Sequence, residues 1–438
     1  MKDYLEKLPN ELKEIISFAF EVSQELKMPA YLVGGFVRDL LLDFKYTDTL
    51  SPNSSNLNCC VDLDITVEGS GIIFAQNLSE KLKSELTIHE RFGTATLLLS
   101  GFFKIDIASA RKEKYPSCAS LPIVRCGSLQ DDLLRRDFTI NAMAVCISDI
   151  GDHKLIDPFG GRQDLLKGNI RVLHDLSFQD DPTRILRAIR FEQRFNFKIE
   201  PKTLYLLKDA LKNGYLDKVS PHRIRDELIL MLKEHRPLKQ IRRLGSLCPL
   251  SFIHKKLKAT KKTYDLFKSI DKEIAWFNSK FPGYRRLDSW LIYFTALLKD
   301  LTVSEIESVS VQFGLRKGEE KRIESFIRFN KSLIESLGRK KVLPVKIFNQ
   351  LEPLSYETII LLRSFSVDKN VKENISNFFE VYNGMRLFIS GKDLAALGII
   401  PGPKYQKIFS RVLEAKLNGQ VKSLEQELDL IKQLTKQL

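Results

Sequence analysis

The sequence predicts an α/β head followed by a long helical remainder. Three observations carry this. Between residues 30 and 110, short runs with strand-like alternation (YLV, VDLDITV, TATLLLS, FFKIDIA) are interleaved with stretches of helical spacing. Beyond DPFGG (157–161) the alternation gives out and helical spacing takes over. At 438 residues the chain is also too long for one compact core, and its length suggests about three units.

Each element follows from local pattern. Residues 8–27 carry apolar side chains at helical intervals. AYLV (30–33) reads as a short buried strand, and FVRDLLLD (36–43) as a helix led by Gly34 and Gly35. Residues 43–60 are polar, rich in Ser, Asn and Pro, and read as a surface loop. VDLDITV (61–67) alternates like a half-buried strand, and IIFAQNLSEKLKS is helical. TATLLLS and FFKIDIA are two further strands, joined by a turn at Gly101, and residues 111–128 read as a loop with two prolines. Then come DPTRILRAIRFEQRF, PKTLYLLKDALKN and PHRIRDELILMLKEH, all helical by spacing, two of them opening on Pro. Breaks such as FPGY, SLGRKKVLP and GIIPGP divide the remainder. The resulting expectation is a head at 1–156, a helical neck at 157–238, a body at 239–385 and a tail at 386–438.

Lys plus Arg outnumber Asp plus Glu by 69 to 55, a formal net charge of +14. A polyanionic partner fits that excess, nucleic acid first and an acidic membrane surface second. No apolar run approaches the roughly 20 residues of a membrane span, and MKDYLEKLPNELKEI lacks a signal-peptide core. The six cysteines form no C-x-x-C pair and read as reduced thiols, so a cytoplasmic location is expected.

Asp62 and Asp64 lie two apart on a strand, so both side chains share one face while Leu63 faces the core. Carboxylates so close repel unless a cation lies between them, and Mg²⁺ suits a few carboxylates plus phosphate oxygens. D-x-D is also what the polar face of an antiparallel strand looks like. Asp106, flanked by Ile105 and Ile107, is placed as a third catalytic carboxylate on the same polar face. Gly34 and Gly35 at a helix start permit close approach of an anion, with Arg38 on the first turn.

Six motifs occur in one order: GGFVRD (34–39), DLD (62–64), RRDFTINAMA (135–144), DPFGG (157–161), DDPTRILRAIRF (180–191) and PHRIRDEL (221–228). Together with SGKDLAALGIIPGP (390–403), the set resembles the class II tRNA nucleotidyltransferases, or CCA-adding enzymes, and the related bacterial poly(A) polymerases. The resemblance implies a head of polymerase β nucleotidyltransferase type followed by an all-helical neck, body and tail, with Mg²⁺ at Asp62 and Asp64. It implies a triphosphate site at Gly34, Gly35 and Arg38, and ribose contacts at Asp137 and Asn141, with Arg136 as a phosphate or ribose neighbour. tRNA is the implied partner, CTP and ATP the substrates, and no membrane is involved. Addition of A alone, beside a separate CC-adding enzyme, and poly(A) addition remain alternatives.

DDPTR sharpens base choice. Cytosine and adenine each present an amine donor beside a ring-nitrogen acceptor. A carboxylate next to a guanidinium matches that edge and mismatches uracil and guanine. Asp181 and Arg184, spaced i,i+3, are expected on one helix face. Asp181 before Pro182 also reads as a helix N-cap. Arg187 and Arg190 are candidate triphosphate contacts or exposed basic residues. Arg223 and Glu227, four apart, are expected to pair.

Overall fold

The structure is a computed structural model and describes residues 2–43, 61–99, 103–148 and 154–435. It divides into two compact units, Met1–Glu227 and Leu228–Leu438. The polar stretch 44–60 and the turn expected at Gly101 lie outside the described residues.

The first unit is built on a seven-stranded sheet. Its strands are β1 (Ala30–Val33), β2 (Val61–Val67), β3 (Glu85–His89), β4 (Thr94–Leu99) and β5 (Phe103–Ser109), with two strands from further along the chain. A separate hairpin, β6 (Arg111–Lys114) and β7 (Ile123–Cys126), precedes β8 (Ala144–Cys146) and β9 (Leu155–Ile156). The sheet order is β3-β4-β5-β2-β1-β8-β9. Among the described residues, β2–β5 is the parallel pair in that sheet, and its other pairings are antiparallel.

Register sets the faces. Val61, Leu63, Ile65 and Val67 are buried, whereas Asp62 and Asp64 project from the other side of β2. The period-2 pleat makes this the only arrangement that keeps the apolar set in the core. Helices α1 (Lys2–Glu6) and α2 (Asn10–Leu26) come first, then α3 (Gly35–Leu41) and α4 (Gly71–Leu82). The apolar stripe of α2 (Leu12, Ile15, Ala19, Val22) is buried, and α2 packs against α4, which packs against β2, β4 and β5. Ser70 caps α4 by accepting from the Ile73 N–H at 3.3 Å.

The turn into α3 depends on Gly34. Its φ of +71° is one that side-chain-bearing residues rarely adopt. A Cβ there would also lie 2.6 Å from Arg136 Nη1 and 3.1 Å from Asp64 Oδ2. The conformation is what calls for glycine here, and a Cβ would in addition push the Arg136 guanidinium aside.

Residues 111–128, expected as a loop, contain the β6–β7 hairpin. RKEK is charged throughout, so its half-buried side at Arg111 and Glu113 carries no apolar signal, and IVRC is exposed along its length. After α5 (Leu129–Leu134) and α6 (Gly161–Lys167) come α7 (Ser177–Asp180), α8 (Arg184–Phe195), α9 (Pro201–Lys212) and α10 (Pro221–Lys233). A two-residue parallel pairing, β10 (Asn169–Ile170) with β11 (Lys198–Ile199), lies among these helices. Ile185, Leu186, Ala188 and Ile189 bury one side of α8.

The second unit is helical throughout its described residues, short turns aside. Its Ser289–Leu298 helix is apolar all round and buried from Trp290 to Leu298. The helices Lys261–Lys280, Lys317–Leu337 and Tyr356–Phe365 pack around it. Towards the end of the chain, Ile389, Leu394, Ile408, Val412 and Ile431 form a separate small core.

Candidate active site

A cavity of about 630 Å³ in the first unit gathers most of the residues singled out by sequence. Gly34, Gly35, Arg38, Asp64, Arg136, Asp137, Asn141, Asp181, Arg184, Arg187 and Arg190 all line it. Asp62 and Asp106 do not. Asp106 lines a neighbouring cavity of about 300 Å³ together with Asp64, Thr96, Arg135 and Arg136.

The carboxylates sit where the register places them. Asp64 on β2 is opposite Asp106 on β5, which is opposite Thr96 on β4, so the three form a row across the sheet. Asp62 is opposite Lys104. Burial, then the charges of Asp106 and Asp62, push the Asp64 carboxyl up to about 6, with Arg136 and Lys104 acting against the rise. Burial and Asp106 also raise Asp62. Thr96 Oγ1 donates to Asp106 Oδ1 at 2.7 Å, and the Lys104 ammonium is bonded to Asp106 Oδ2.

Among the described residues, no three His, Cys, Asp or Glu side chains form a ready-made metal cluster. Two aspartates on one strand face, one pushed up by burial and then by its like-charged neighbours, still fit a hard divalent cation. Mg²⁺ draws its remaining ligands from water and substrate phosphates.

Arg136 links this row to the glycine turn. Its guanidinium lies over Gly34, its Nη2 donates to Asp132 at 3.1 Å, and its buried Nε has no hydrogen-bond partner among the described residues. Asp132 is fully buried, and it also accepts from Arg135 at 2.7 Å and from Thr66 at 3.3 Å. Burial would raise its carboxyl, but Arg136 and Arg135 hold it below the usual range. Arg135 in turn donates to Glu113 on β6 at 3.1 Å, and Glu113 accepts from Tyr115 at 2.8 Å.

A second network runs from α3 to α10. Arg38, 4% exposed, donates from Nη1 to Asn141 Oδ1 at 2.7 Å. Asn141 Nδ2 donates to Asp137 at 2.9 Å, and Asp137 accepts from Arg187 Nη2 at 2.6 Å. Arg187 Nη1 continues to Glu227 at 2.9 Å, and Glu227 also accepts from Arg190 at 3.3 Å. Burial alone would raise Asp137, yet Arg187 and Asn141 hold its carboxyl down to about 2. Arg187 and Arg190 are therefore neither free nor exposed, but tied to acids at the cavity wall.

Asp181 and Arg184 do not share a helix face. Asp181 has extended backbone (φ −135°, ψ 94°), and α8 begins only at Arg184. The residue before a proline is pushed out of the helical region, so Pro182 excludes Asp181 from α8. Asp181 Oδ1 instead accepts from the Thr183 N–H at 3.0 Å, from the Thr183 hydroxyl at 2.6 Å and from Arg223. Arg184 donates to Ser177 Oγ and to the Arg135 carbonyl, each at 2.6 Å. The expected Arg223–Glu227 pair is replaced as well. Arg223 Nη2 lies 2.7 Å from Asp181, and Glu227 is taken by Arg187 and Arg190.

Sequence reading missed Asp132, Lys104, Thr96 and the acidic role of Glu227. Asp132 was findable, because DLLRR sets an acid three and four residues before two arginines. Lys104 and Thr96 needed the strand register.

A mixed sheet with two aspartates on one face of β2, one of them against the glycine turn that leads α3, and an arginine-bearing helix walling the same cavity as that aspartate, defines a nucleotidyltransferase-type fold. Residues 30–171 match the poly A polymerase head domain, and residues 196–255 match a probable RNA and SrmB-binding site of polymerase A. The chain belongs to the tRNA nucleotidyltransferase and poly(A) polymerase family. It is 36% identical over 413 residues to the A-adding tRNA nucleotidyltransferase of Geobacter sulfurreducens, covering 93% of this chain and 45% of that one. The chain spans about half the length of the curated relatives it matches. The Thermotoga maritima CCA-adding enzyme complexed with tRNA is similar at TM-score 0.73 and 33% identity, over 99% of this chain and 98% of that one. A CCA-adding enzyme in complex with CTP is similar at TM-score 0.75 and 32% identity, over 99% and 98% of the two chains.

Proposed function

We propose that the chain extends the 3′ end of tRNA with nucleotides from CTP and ATP, by template-independent, divalent-cation-dependent transfer. The observation that carries this reading is that Gly34, Asp64, Asp181 and Arg184 all line one cavity. It brings partners suited to a triphosphate and partners suited to a base edge into the same cavity.

In the reaction, the RNA 3′ oxygen attacks the α-phosphorus, the new O–P bond forms, and the bond to the β-phosphate oxygen breaks. Pyrophosphate leaves with that electron pair, and the hydroxyl proton passes to water. Asp62 and Asp64 would hold Mg²⁺, which when bound supplies Lewis acidity for the attacking hydroxyl and the leaving group. The N–H groups after Gly34 and the Arg136 guanidinium donate to phosphate oxygens. Asp137 and Asn141 face the ribose. Asp181 accepts from the base amine, and Arg184 donates to the adjacent ring nitrogen. The basic surplus of the chain suits contact with RNA phosphates.

A second reading, A addition alone onto tRNA already ending in CC, is favoured by the name of the Geobacter sulfurreducens relative. One assay separates them. tRNA transcripts ending at the discriminator base or at CC are incubated with CTP, ATP or both, and the products are sequenced. CCA on the first transcript supports the main reading. Extension of only the CC-ended transcript, and only by A, selects the second. Asp64→Asn should abolish incorporation while tRNA still shifts in a gel; undiminished incorporation would overturn the site assignment.

A further inference from the structure

Lys104 has no task in the chemistry above, yet it stands among the carboxylates. It faces Asp62 across the β2–β5 pairing and lies two residues before Asp106, so it shares their face of the sheet. Its ammonium is bonded to Asp106 Oδ2, while Thr96 holds Oδ1. Both oxygens of Asp106 are thus engaged, although Asp106 is in register with Asp64 and lines the same smaller cavity.

We propose that Lys104 is a positioning residue that competes with the divalent cation for Asp106. It serves as an internal counter-ion that must leave before Asp106 joins Asp62 and Asp64 as a ligand. This rests on reading those two aspartates as cation ligands. The Lys104 and Asp106 side chains are 40% and 39% exposed, so water screens their attraction and separation is cheap. A lysine on a flexible four-carbon stem can swing to solvent without moving the strand. Thr96 can keep its bond to Oδ1 while Oδ2 turns to the cation.

The test is Mn²⁺ binding to the full-length chain without nucleotide, read from the electron paramagnetic resonance of free Mn²⁺. Lys104→Met should bind Mn²⁺ about twofold to fivefold more tightly than wild type, the factor equivalent to a screened pair of roughly 0.5–1 kcal/mol. Lys104→Arg keeps the charge and should stay near wild type. Adding Asp106→Asn to Lys104→Met should cancel the gain. In EDTA, Lys104→Met should melt lower than wild type and recover with Mn²⁺. If Lys104→Met does not fold, Lys104→Gln takes its place. Equal or weaker affinity in the neutral variant, or a gain that survives Asp106→Asn, overturns the proposal. An Mn²⁺ site that depends on Asp64 but is indifferent to Lys104 sinks this inference alone. Absence of any Asp64-dependent site overturns the cation reading and this inference with it.

Discussion

Replacing Asp137 by Asn should unfold the protein more easily at neutral pH, and the penalty should fade in acid. The Asp137 side chain is 7% exposed and accepts from the Arg187 Nε and Nη2 groups, the Asn141 amide and the Phe138 N–H. Its folded pKa of about 2 lies below its ordinary 3.8, although burial opposes the shift. At about 1.4 kcal/mol per unit, the displacement contributes about 2 kcal/mol of stability. An Asn also turns an NH₂ toward donors, so the total loss should be on the order of 3 kcal/mol. Because the folded pKa is the lower one, the unfolded chain takes up the proton first as pH falls. The contribution is therefore complete above about pH 5, down by about 1 kcal/mol at pH 3 and by about 2 at pH 2. Urea unfolding of the full-length chain and of Asp137→Asn, followed by circular dichroism from pH 7 to 3, measures the gap directly. Arg187→Met and the double variant complete a cycle whose coupling should exceed about 1 kcal/mol. A gap below about 1 kcal/mol at pH 7, or one that stays constant down to pH 3, would refute the reasoning.

Further outcomes follow from the same geometry. Gly34→Ala places a methyl group 2.6 Å from Arg136 Nη1 at a φ of +71°, so nucleotide incorporation should drop by about a hundredfold or more while the melting temperature falls only modestly. Near-normal incorporation would show that the turn has no part in the chemistry. Asp181→Ala should relax base choice, letting UTP and GTP compete in mixed-nucleotide assays, whereas a merely slower enzyme with intact selectivity would remove Asp181 from base reading. In the second unit, Glu357 accepts from both Arg285 Nη groups at 2.8 Å and from the Asp288 N–H. Burial opposes ionisation there, yet these donors hold the carboxyl down to about 2 from an ordinary 4.5. Glu357→Gln should therefore cost about 2–3 kcal/mol near pH 7 and progressively less as pH falls from 4.5 toward 2, measured by denaturant unfolding across that range.

The parts of the fold governed by local period were legible in the sequence. VDLDITV declared its two faces through alternation, and the helical spacing of RILRAIRFEQRF marked α8 within three residues. What escaped was decided by partners distant in sequence. Glu227 has an arginine four residues before it on its own helix, but Arg187 and Arg190 reach it from α8 and take its oxygens. Arg223, left to itself, bridges to Asp181. The spacing of Asp181 and Arg184 misled for a local reason that was already written in the chain, since Pro182 bars its predecessor from the helix. Lys104 reads as an ordinary polar strand residue until β5 is set beside β2. The β6–β7 hairpin escaped because the inward side of β6 is made of charges, Arg111 and Glu113, and β7 is exposed along its length, so neither strand prints an apolar pattern.

Asp132 holds two neighbouring arginines that lead to different parts of the cavity. Arg136 leans over the glycine turn beside Asp64, while the carbonyl of Arg135 receives Arg184. One carboxylate sealed from water therefore anchors both the glycine turn beside Asp64 and the segment that holds Arg184. Under the proposed function, Asp132→Asn is therefore expected to lower incorporation and relax base choice together, so that rate and selectivity shift in a single step.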